Sequence, residues 1–272
     1  SAGNGKLTYD FQYSWQSLAR IPKVLNSEQY IDYMTEGNIL TRDYLLSNWD
    51  GATNTSWTDV AFETSTMQKH NVAFTNGNEQ GNYYLSLSYL DNDGIVKGNA
   101  DTYKRLTATV NGEYQIKPWL KVGSTNQLEK YDMRTVAEGN EYGSLLASVL
   151  LMDPLTPDVY APNNLPMNML TALNNGQPLL KDGKGNYYSV SPFFTGEFGQ
   201  PLIMRDNNVT KSGGFNITGS LYGDFKPVKG LVITSRLGYR FSGSHNSTVS
   251  LPSYNNSERI NPYLNFSAGS ST

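Results

Sequence analysis

The chain has 272 residues, a formal net charge of -3 and no cysteine. The charge excludes the basic surface that nucleic-acid binding needs, and the lack of cysteine excludes disulfides, thiol catalysis and cysteine-based zinc sites. With 38% hydrophobic residues and no apolar run near the ~20 residues of a spanning helix, the composition also excludes a helical membrane protein. The aromatic content of 12% suits either a carbohydrate-binding surface or the interfacial girdles of a membrane β-barrel.

Large apolar residues at every second position define the first predicted strand, residues 6–16. Leu7, Tyr9, Phe11, Tyr13 and Trp15 share one face of this extended segment, and the polar residues between them share the other. The same period returns along the chain in segments near the ~10 residues of a tilted membrane strand. In chain order the seven predicted strands are residues 6–16, 67–76, 82–90, 102–116, 119–131, 209–225 and 231–242. We expect their apolar faces to contact lipid rather than a core.

Short and long connections alternate between these strands. Gly and Pro turn residues fill the short ones, at residues 76–80, 117–118 and 226–230. The long ones are residues 17–66, 91–101 and 132–208. Tight turns at one end and long loops at the other are typical of an outer-membrane barrel. A soluble sandwich has no reason to keep its long loops at one end.

Two short helices are predicted in the long connections. Asn26 can cap the first, with Gln29 completing a capping box and Gly37 ending the helix. The second is predicted over residues 140–152, before Pro154. Both are too short to cross a bilayer, so we expect them in loops outside it.

Several segments together resemble the early barrel of SusC/RagA-type TonB-dependent outer-membrane transporters. The most specific are NTSWTDVAF at residues 54–62 and YYLSLSYLDNDGIVKG at residues 83–98. QKHN at 68–71, GNE at 77–79, WLKVG at 119–123 and MDPLTP at 152–157 extend the similarity.

The resemblance implies a fold and a set of partners. The fold is all-β: a portion of an antiparallel transmembrane β-barrel, about seven strands, with long extracellular loops containing short helices. Residues 1–272 then correspond to the N-terminal part of the barrel, with the plug, the TonB-contacting segment and most of the roughly 22 strands outside this sequence. A barrel of this class has an even strand number, so we expect a sheet with two open edges that would aggregate in isolation. The implied role is import of glycans or peptides across the outer membrane of a Gram-negative bacterium, with a SusD-like surface lipoprotein as lid and the TonB system acting through the plug.

Candidate functional residues are few. No catalytic, cofactor-binding or metal motif is predicted: His70 and His245 fit no catalytic pattern, and the DNDG at residues 91–94 indicates a turn rather than a calcium loop. The candidates for contact with a ligand or partner are Trp49, Tyr131 and Arg134. The candidates for facing the barrel lumen or the plug are Arg105, Arg236 and Arg240.

Two other functions fit the sequence. A soluble β-rich carbohydrate-binding module would bury the alternate residues in a sandwich core and stack exposed aromatic rings on sugar. An accessory of envelope assembly, built on the same barrel, cannot be separated from a transporter by sequence.

Overall fold

The computed structural model describes residues 3–136, 144–193 and 199–272. The strands are β1 Gly3–Gln16, β2 Ser65–Gly77, β3 Gly81–Asp93, β4 Thr102–Lys117, β5 Leu120–Thr135, β6 Val159–Tyr160, β7 Tyr187–Tyr188, β8 Asn208–Phe225, β9 Ile233–Ser250, β10 Ser253–Asn256, β11 Arg259–Asn261 and β12 Asn265–Ser271. The helices are α1 Ser27–Glu36, α2 Arg42–Ser47, α3 Trp57–Ala61, α4 Leu145–Leu151, α5 Met167–Asn174 and α6 Pro201–Asn207.

One antiparallel sheet of eight strands, in the order β1-β2-β3-β4-β5-β8-β9-β12, is the main element of the fold. All seven predicted strands lie in it, so the all-β antiparallel class is confirmed. The predicted number of strands is wrong by one, because β12 joins the sheet through pairs such as Phe266 with Val249. In β12 Phe266 is the one large apolar residue among small and polar ones, so no alternation marks the strand in the sequence.

The long connections leave the sheet at one end. The pairs Gln16 with Ser65, Asp93 with Thr102 and Thr135 with Thr210 close the ladders there, which we call the loop end. At the opposite end β2 and β3 are joined by a tight turn. In that turn Asn78 accepts hydrogen bonds through Oδ1 from the backbone amides of Gln80 and Gly81, at 2.9 and 3.0 Å. The alternation of turns and loops predicted from the sequence is therefore present, although β5 continues past residue 131 to Thr135.

The helices lie in the long connections. Helix α1 has the predicted capping box, in which Asn26 and Gln29 exchange hydrogen bonds of 2.9 and 3.1 Å, and it ends at Gly37. The helix predicted over residues 140–152 is present as α4, capped by Ser144, while residues 140–143 lie outside the described residues. None of the helices in the described ranges is long and apolar enough to cross a membrane.

The buried core of the chain lies between the loops rather than against the sheet. Trp57 and Ala61 of α3 pack with Val96 from the second connection and with Leu145 and Val149 of α4. A second cluster joins the first connection to the third through Leu45 and Leu155. A third cluster lies within the third connection around Tyr188 and Ile203, and Val60 of α3 packs against it. We call this packed set of connections, which carries α1 to α6, the loop layer.

Candidate functional site

Large apolar side chains cover one face of the main sheet, and they are exposed. Because residues paired across antiparallel strands share a face, the register aligns them into rows. One row runs across seven strands: Tyr9, Val72, Leu87, Ala108, Leu128, Ile217 and Phe241. Leu87 and Phe241 are 52% and 62% exposed. Nothing in the described part of the chain packs on this surface, which we call the apolar face.

Aromatic residues gather toward both ends of the apolar face. Tyr13 and Trp15 lie near the loop end of β1, with their rings edge to face at 5.1 Å. Near the tight turns the rings of Trp119 and Phe225 are 5.6 Å apart, and the Tyr114 hydroxyl donates to Gln80 at 3.2 Å. Aromatic rings at both borders of an apolar band are typical of the two interfaces of a membrane.

The opposite face of the sheet, the polar face, carries paired charges. Lys121 forms a 2.6 Å ion pair with Glu113, which also accepts a hydrogen bond of 3.0 Å from the Tyr222 hydroxyl. Asn216 and Arg105 both approach Glu129, at 3.0 and 3.8 Å. Charge pairs and hydrogen-bond networks of this kind suit a surface that contacts water or polar protein groups.

The three candidate lumen residues all lie on the polar face, Arg105 on β4 and Arg236 and Arg240 on β9. Arg105 pairs in register with Tyr131, Arg236 with Tyr222 and Arg240 with Thr218, all on that side of the sheet. The guanidinium of Arg236 lies over the Tyr222 ring, 5.1 Å from its centroid. This placement agrees with the face that the alternation predicts, while contact with a plug stays a prediction.

The three candidate contact residues are not brought together. Trp49 is partly buried among loop helices and donates through Nε1 to the Thr53 carbonyl at 2.8 Å. Tyr131 lies on the polar face of β5 and Arg134 on the apolar-face side of the same strand, because their numbers differ by an odd count. The three residues therefore do not form one binding site in this structure, and each remains a separate candidate.

Asp153 joins the first and third connections at the centre of the loop layer. Its backbone carbonyl accepts a 2.7 Å hydrogen bond from the Trp57 indole, and its carboxylate accepts one from the Ser191 hydroxyl. The next carbonyl, that of Pro154, accepts from the Thr55 amide at 2.9 Å. Burial raises the pKa of the fully enclosed Asp153 carboxyl, against the opposing effect of the Ser191 hydrogen bond. The MDPLTP segment contains this residue, but the sequence alone did not single it out.

A second polar junction ties the second connection to α6. Arg205 forms a 2.6 Å ion pair with Asp206 and donates to the Lys97 carbonyl at 2.9 Å. The hydrogen bond to Asp206 raises the pKa of the Arg205 guanidinium, and burial raises the pKa of the Tyr188 hydroxyl, which donates to Asp206. These contacts make the loop layer one packed unit above the sheet.

The described residues contain no cluster of three or more His, Asp or Glu side chains arranged to hold a metal ion. The polar groups at Asp153 and Arg205 take part in the hydrogen-bond networks of the loop layer.

The comparisons with known proteins give several relatives. No family model matches the chain. It is 32% identical to the TonB-dependent receptor SusC of Bacteroides thetaiotaomicron over 105 residues, which is 39% of this chain and 10% of that protein. It is 22% identical over 247 residues to the TonB-dependent receptor P26 of Formosa agariphila, covering 89% of this chain and 22% of P26. The chain thus spans only a minor part of the length of these relatives.

A structure of the RagAB peptide transporter matches with a TM-score of 0.69 and 15% identity, covering 94% of this chain and 30% of that one. This fit places the sheet and its loops together in a known fold. The chain is similar to SusC/RagA-type TonB-dependent transporters. That likeness confirms the resemblance predicted from residues 54–98 and the other matching segments, and the relatives named here are receptors and transporters rather than enzymes.

Proposed function

We propose that the main sheet is part of the wall of a transmembrane β-barrel in the outer membrane of a Gram-negative bacterium. The observation that carries the proposal is the exposed apolar face, bordered by aromatic residues, on strands whose long connections all lie at one end. Lipid removes such a face from water at a gain of roughly 25 cal/mol per Å². Residues 1–272 would then be the N-terminal part of the barrel.

A soluble carbohydrate-binding module is less well supported. Such a module needs a second layer against the apolar rows, as in a sandwich. In the described ranges these rows have no such cover: Leu7 of β1 is 69% exposed and Leu237 of β9 is 66% exposed. The same face in water would be an aggregation surface.

The barrel would belong to a SusC-like transporter that imports glycans or peptides with a SusD-like surface lipoprotein, driven by the TonB system through a plug. Supporting this are the similarity to the TonB-dependent receptor SusC and the fold shared with the RagAB peptide transporter. In this arrangement the polar face lines the lumen, so Arg105, Arg236 and Arg240 would contact the plug or the solute. Trp49, Tyr131 and Arg134 are the proposed contacts to ligand or partner.

The transporter proposal is tested in cells that carry the complete protein. Deleting its gene, or the gene for TonB, should abolish uptake of the same fluorescent oligosaccharide or peptide. Purification from detergent-solubilised outer membranes should recover a SusD-like lipoprotein with it. Uptake that survives loss of TonB would contradict the mechanism, and stable association with assembly machinery instead of a lipoprotein would favour an envelope accessory.

The candidate contacts are tested by substitution. Trp49→Ala and Tyr131→Ala should each lower uptake if their rings contact the solute. Leu46→Ala, at an exposed position of α2 beside Trp49 in sequence, is the matched control. Unchanged uptake by both variants would remove them as solute contacts.

A further inference from the structure

Two cations face each other across β5 and β8 at the loop end of the apolar face. Arg134 pairs in register with Lys211, and both side chains are exposed. Like charges directly opposite each other destabilise a sheet. Among the described residues neither cation has an ion-pair partner.

A third cation lies on the same side of the sheet, on β5 and four residues before Arg134. Lys130 is exposed and pairs in register with Leu106 and Phe215. It therefore lies in a row of large apolar residues, where a lysine holds its charge by extending toward the border. Four residues of an extended strand span about 13 Å, so Lys130 and Arg134 approach each other only if both long side chains extend toward a shared anion.

The acidic groups nearby do not balance these charges. Asp132 lies between Lys130 and Arg134 on β5, and it also faces Lys104 across the β4–β5 pairing. Lys104 in turn forms a 3.2 Å ion pair with Asp91. On β5 and β8, three cations (Lys130, Arg134 and Lys211) and one carboxylate (Asp132) leave a net charge of +2 on this face.

The position of this excess charge identifies what could neutralise it. It borders the apolar face directly, where Leu128 and Phe215 are 43% and 45% exposed. A ligand that covers both the cations and the neighbouring apolar residues needs a negative group next to an acyl chain. Arg and Lys are the side chains that bind phosphate most strongly, Arg through two parallel hydrogen bonds.

We propose that Lys130, Arg134 and Lys211 bind the phosphate group of a membrane lipid whose acyl chains lie along the apolar face. The proposal rests on the proposed function, because only a membrane-inserted sheet presents this surface at the level of lipid headgroups. On the neighbouring strand β9, His245 lies on the same face as these cations. Its ring and the Asp132 carboxylate both lie next to Gly213.

The test compares lipid retention by the complete protein. The protein is inserted into phosphatidylcholine vesicles containing either lipid A with its phosphates or lipid A from which they have been removed. It is then extracted in mild detergent, and the bound lipid is measured by mass spectrometry. The wild type should retain phosphorylated lipid A preferentially.

The variants Arg134→Gln and Lys211→Gln should each lower this preference about fivefold, and together roughly 30-fold, as expected for cations near an anionic membrane surface. Lys69→Gln removes one exposed cation from the polar face of β2 and should leave the preference unchanged. The preference should also fall with added salt, because screening weakens it.

The other outcomes distinguish failure of the lipid-phosphate inference from failure of the barrel proposal. Insertion without any preference for phosphate would overturn this inference and leave the barrel proposal standing. Displacement of the lipid by inorganic phosphate would show that the cations bind a free anion, and would overturn the assignment of a lipid ligand. An equal loss in Lys69→Gln would show a general charge effect, and failure to insert into either bilayer would overturn the barrel proposal and this inference together.

Discussion

Asp153 and Trp57 are both buried in the loop layer and link two of its connections. Asp153 is fully enclosed, and Trp57 is only 2% exposed. They are far apart in the chain but joined by the 2.7 Å bond from the Trp57 indole to the Asp153 carbonyl. A buried carboxyl destabilises the folded state when charged, so we expect the stability of this junction to fall as the pH rises.

The first prediction concerns the pH dependence of this junction. The folded-state pKa of Asp153 is raised by burial, so the folded loop layer binds the proton more tightly than the unfolded one. Its stability should therefore be greatest below the ordinary pKa of Asp and be lost as pH rises through the raised value. Hydrogen exchange of the Thr55 amide, which is bonded to the adjacent Pro154 carbonyl, should report this after correction for intrinsic exchange.

Asp153→Asn should flatten that profile, because the amide keeps the shape of the carboxyl and cannot ionise. Asp43→Asn, at an exposed position in the first turn of α2, is the control and should leave the profile as in the wild type. A wild-type profile already flat between acid and neutral pH would contradict the role given to Asp153.

The second prediction concerns Trp57. Trp57→Phe keeps an aromatic ring but removes the donor to the Asp153 carbonyl, leaving a buried acceptor without its partner. We expect the loop layer to lose about 1–3 kcal/mol, measured from the rate of protease cleavage within the loops. Trp119→Phe, at a half-exposed ring beside a tight turn, should not change that rate. Equal cleavage of all three proteins would mean that the indole hydrogen bond contributes nothing.

Residue by residue, the sequence predicts which face of a strand a side chain occupies but not its partners. Alternation alone puts Arg105, Arg236 and Arg240 on the polar side, where the structure has them. The same alternation puts Tyr131 and Arg134 on opposite faces of β5, so the two cannot contribute to one contact site on either face. Arg134 lies opposite Lys211 because of the register between β5 and β8. More than 70 residues separate these strands in the chain, so no local sequence pattern predicts that register.

At the scale of elements, the strands form because their side chains alternate and their turns suit Asn, Gly and Pro. Every segment with a clear period of two is a strand, and the capping box at Asn26 does begin a helix. Helices α2, α3, α5 and α6 are short and depend on loop packing, with weak local signals, so they were not predicted. Strand β12 lacks alternation and is held by pairing with β9.

The third prediction tests the two faces of one strand. Leu128 lies in the middle row of the apolar face, and the adjacent Gln127 lies exposed on the polar face. If lipid covers the apolar face, Leu128→Arg should destabilise the inserted protein by roughly 2–4 kcal/mol, as a cation does at the middle of a bilayer. Gln127→Arg introduces the same side chain one position away and should cost much less.

The measurement for this pair is the urea concentration that unfolds the protein from lipid vesicles. A sheet that is soluble in the cell would give small and similar effects for both variants, since an exposed arginine in water is tolerated. A large difference between Leu128→Arg and Gln127→Arg therefore supports the membrane-wall proposal, and a small difference supports the soluble alternative.

At the scale of the whole molecule, the two ends of the sheet differ in kind. One end has tight turns, and the other supports a packed loop layer whose core joins all three long connections described here. The apolar core that a soluble protein forms beneath its sheet is instead found among the loops. This division suits a wall held by lipid on one face, with its folded surface structure on the outer side of the membrane.

The last prediction tests that orientation. This chain contains no cysteine, so a single cysteine introduced into it is compared with the unsubstituted protein, which gives the background labelling. Lys184→Cys lies in the loop layer, in the turn where Asp182 accepts from the Lys184 amide at 2.8 Å, and Glu79→Cys lies in the tight turn between β2 and β3. In intact cells a membrane-impermeant maleimide should label the first variant, and should label the second only after the outer membrane is permeabilised. Labelling of Glu79→Cys alone in intact cells would reverse the orientation, and equal labelling of both would mean that the sheet does not separate two compartments.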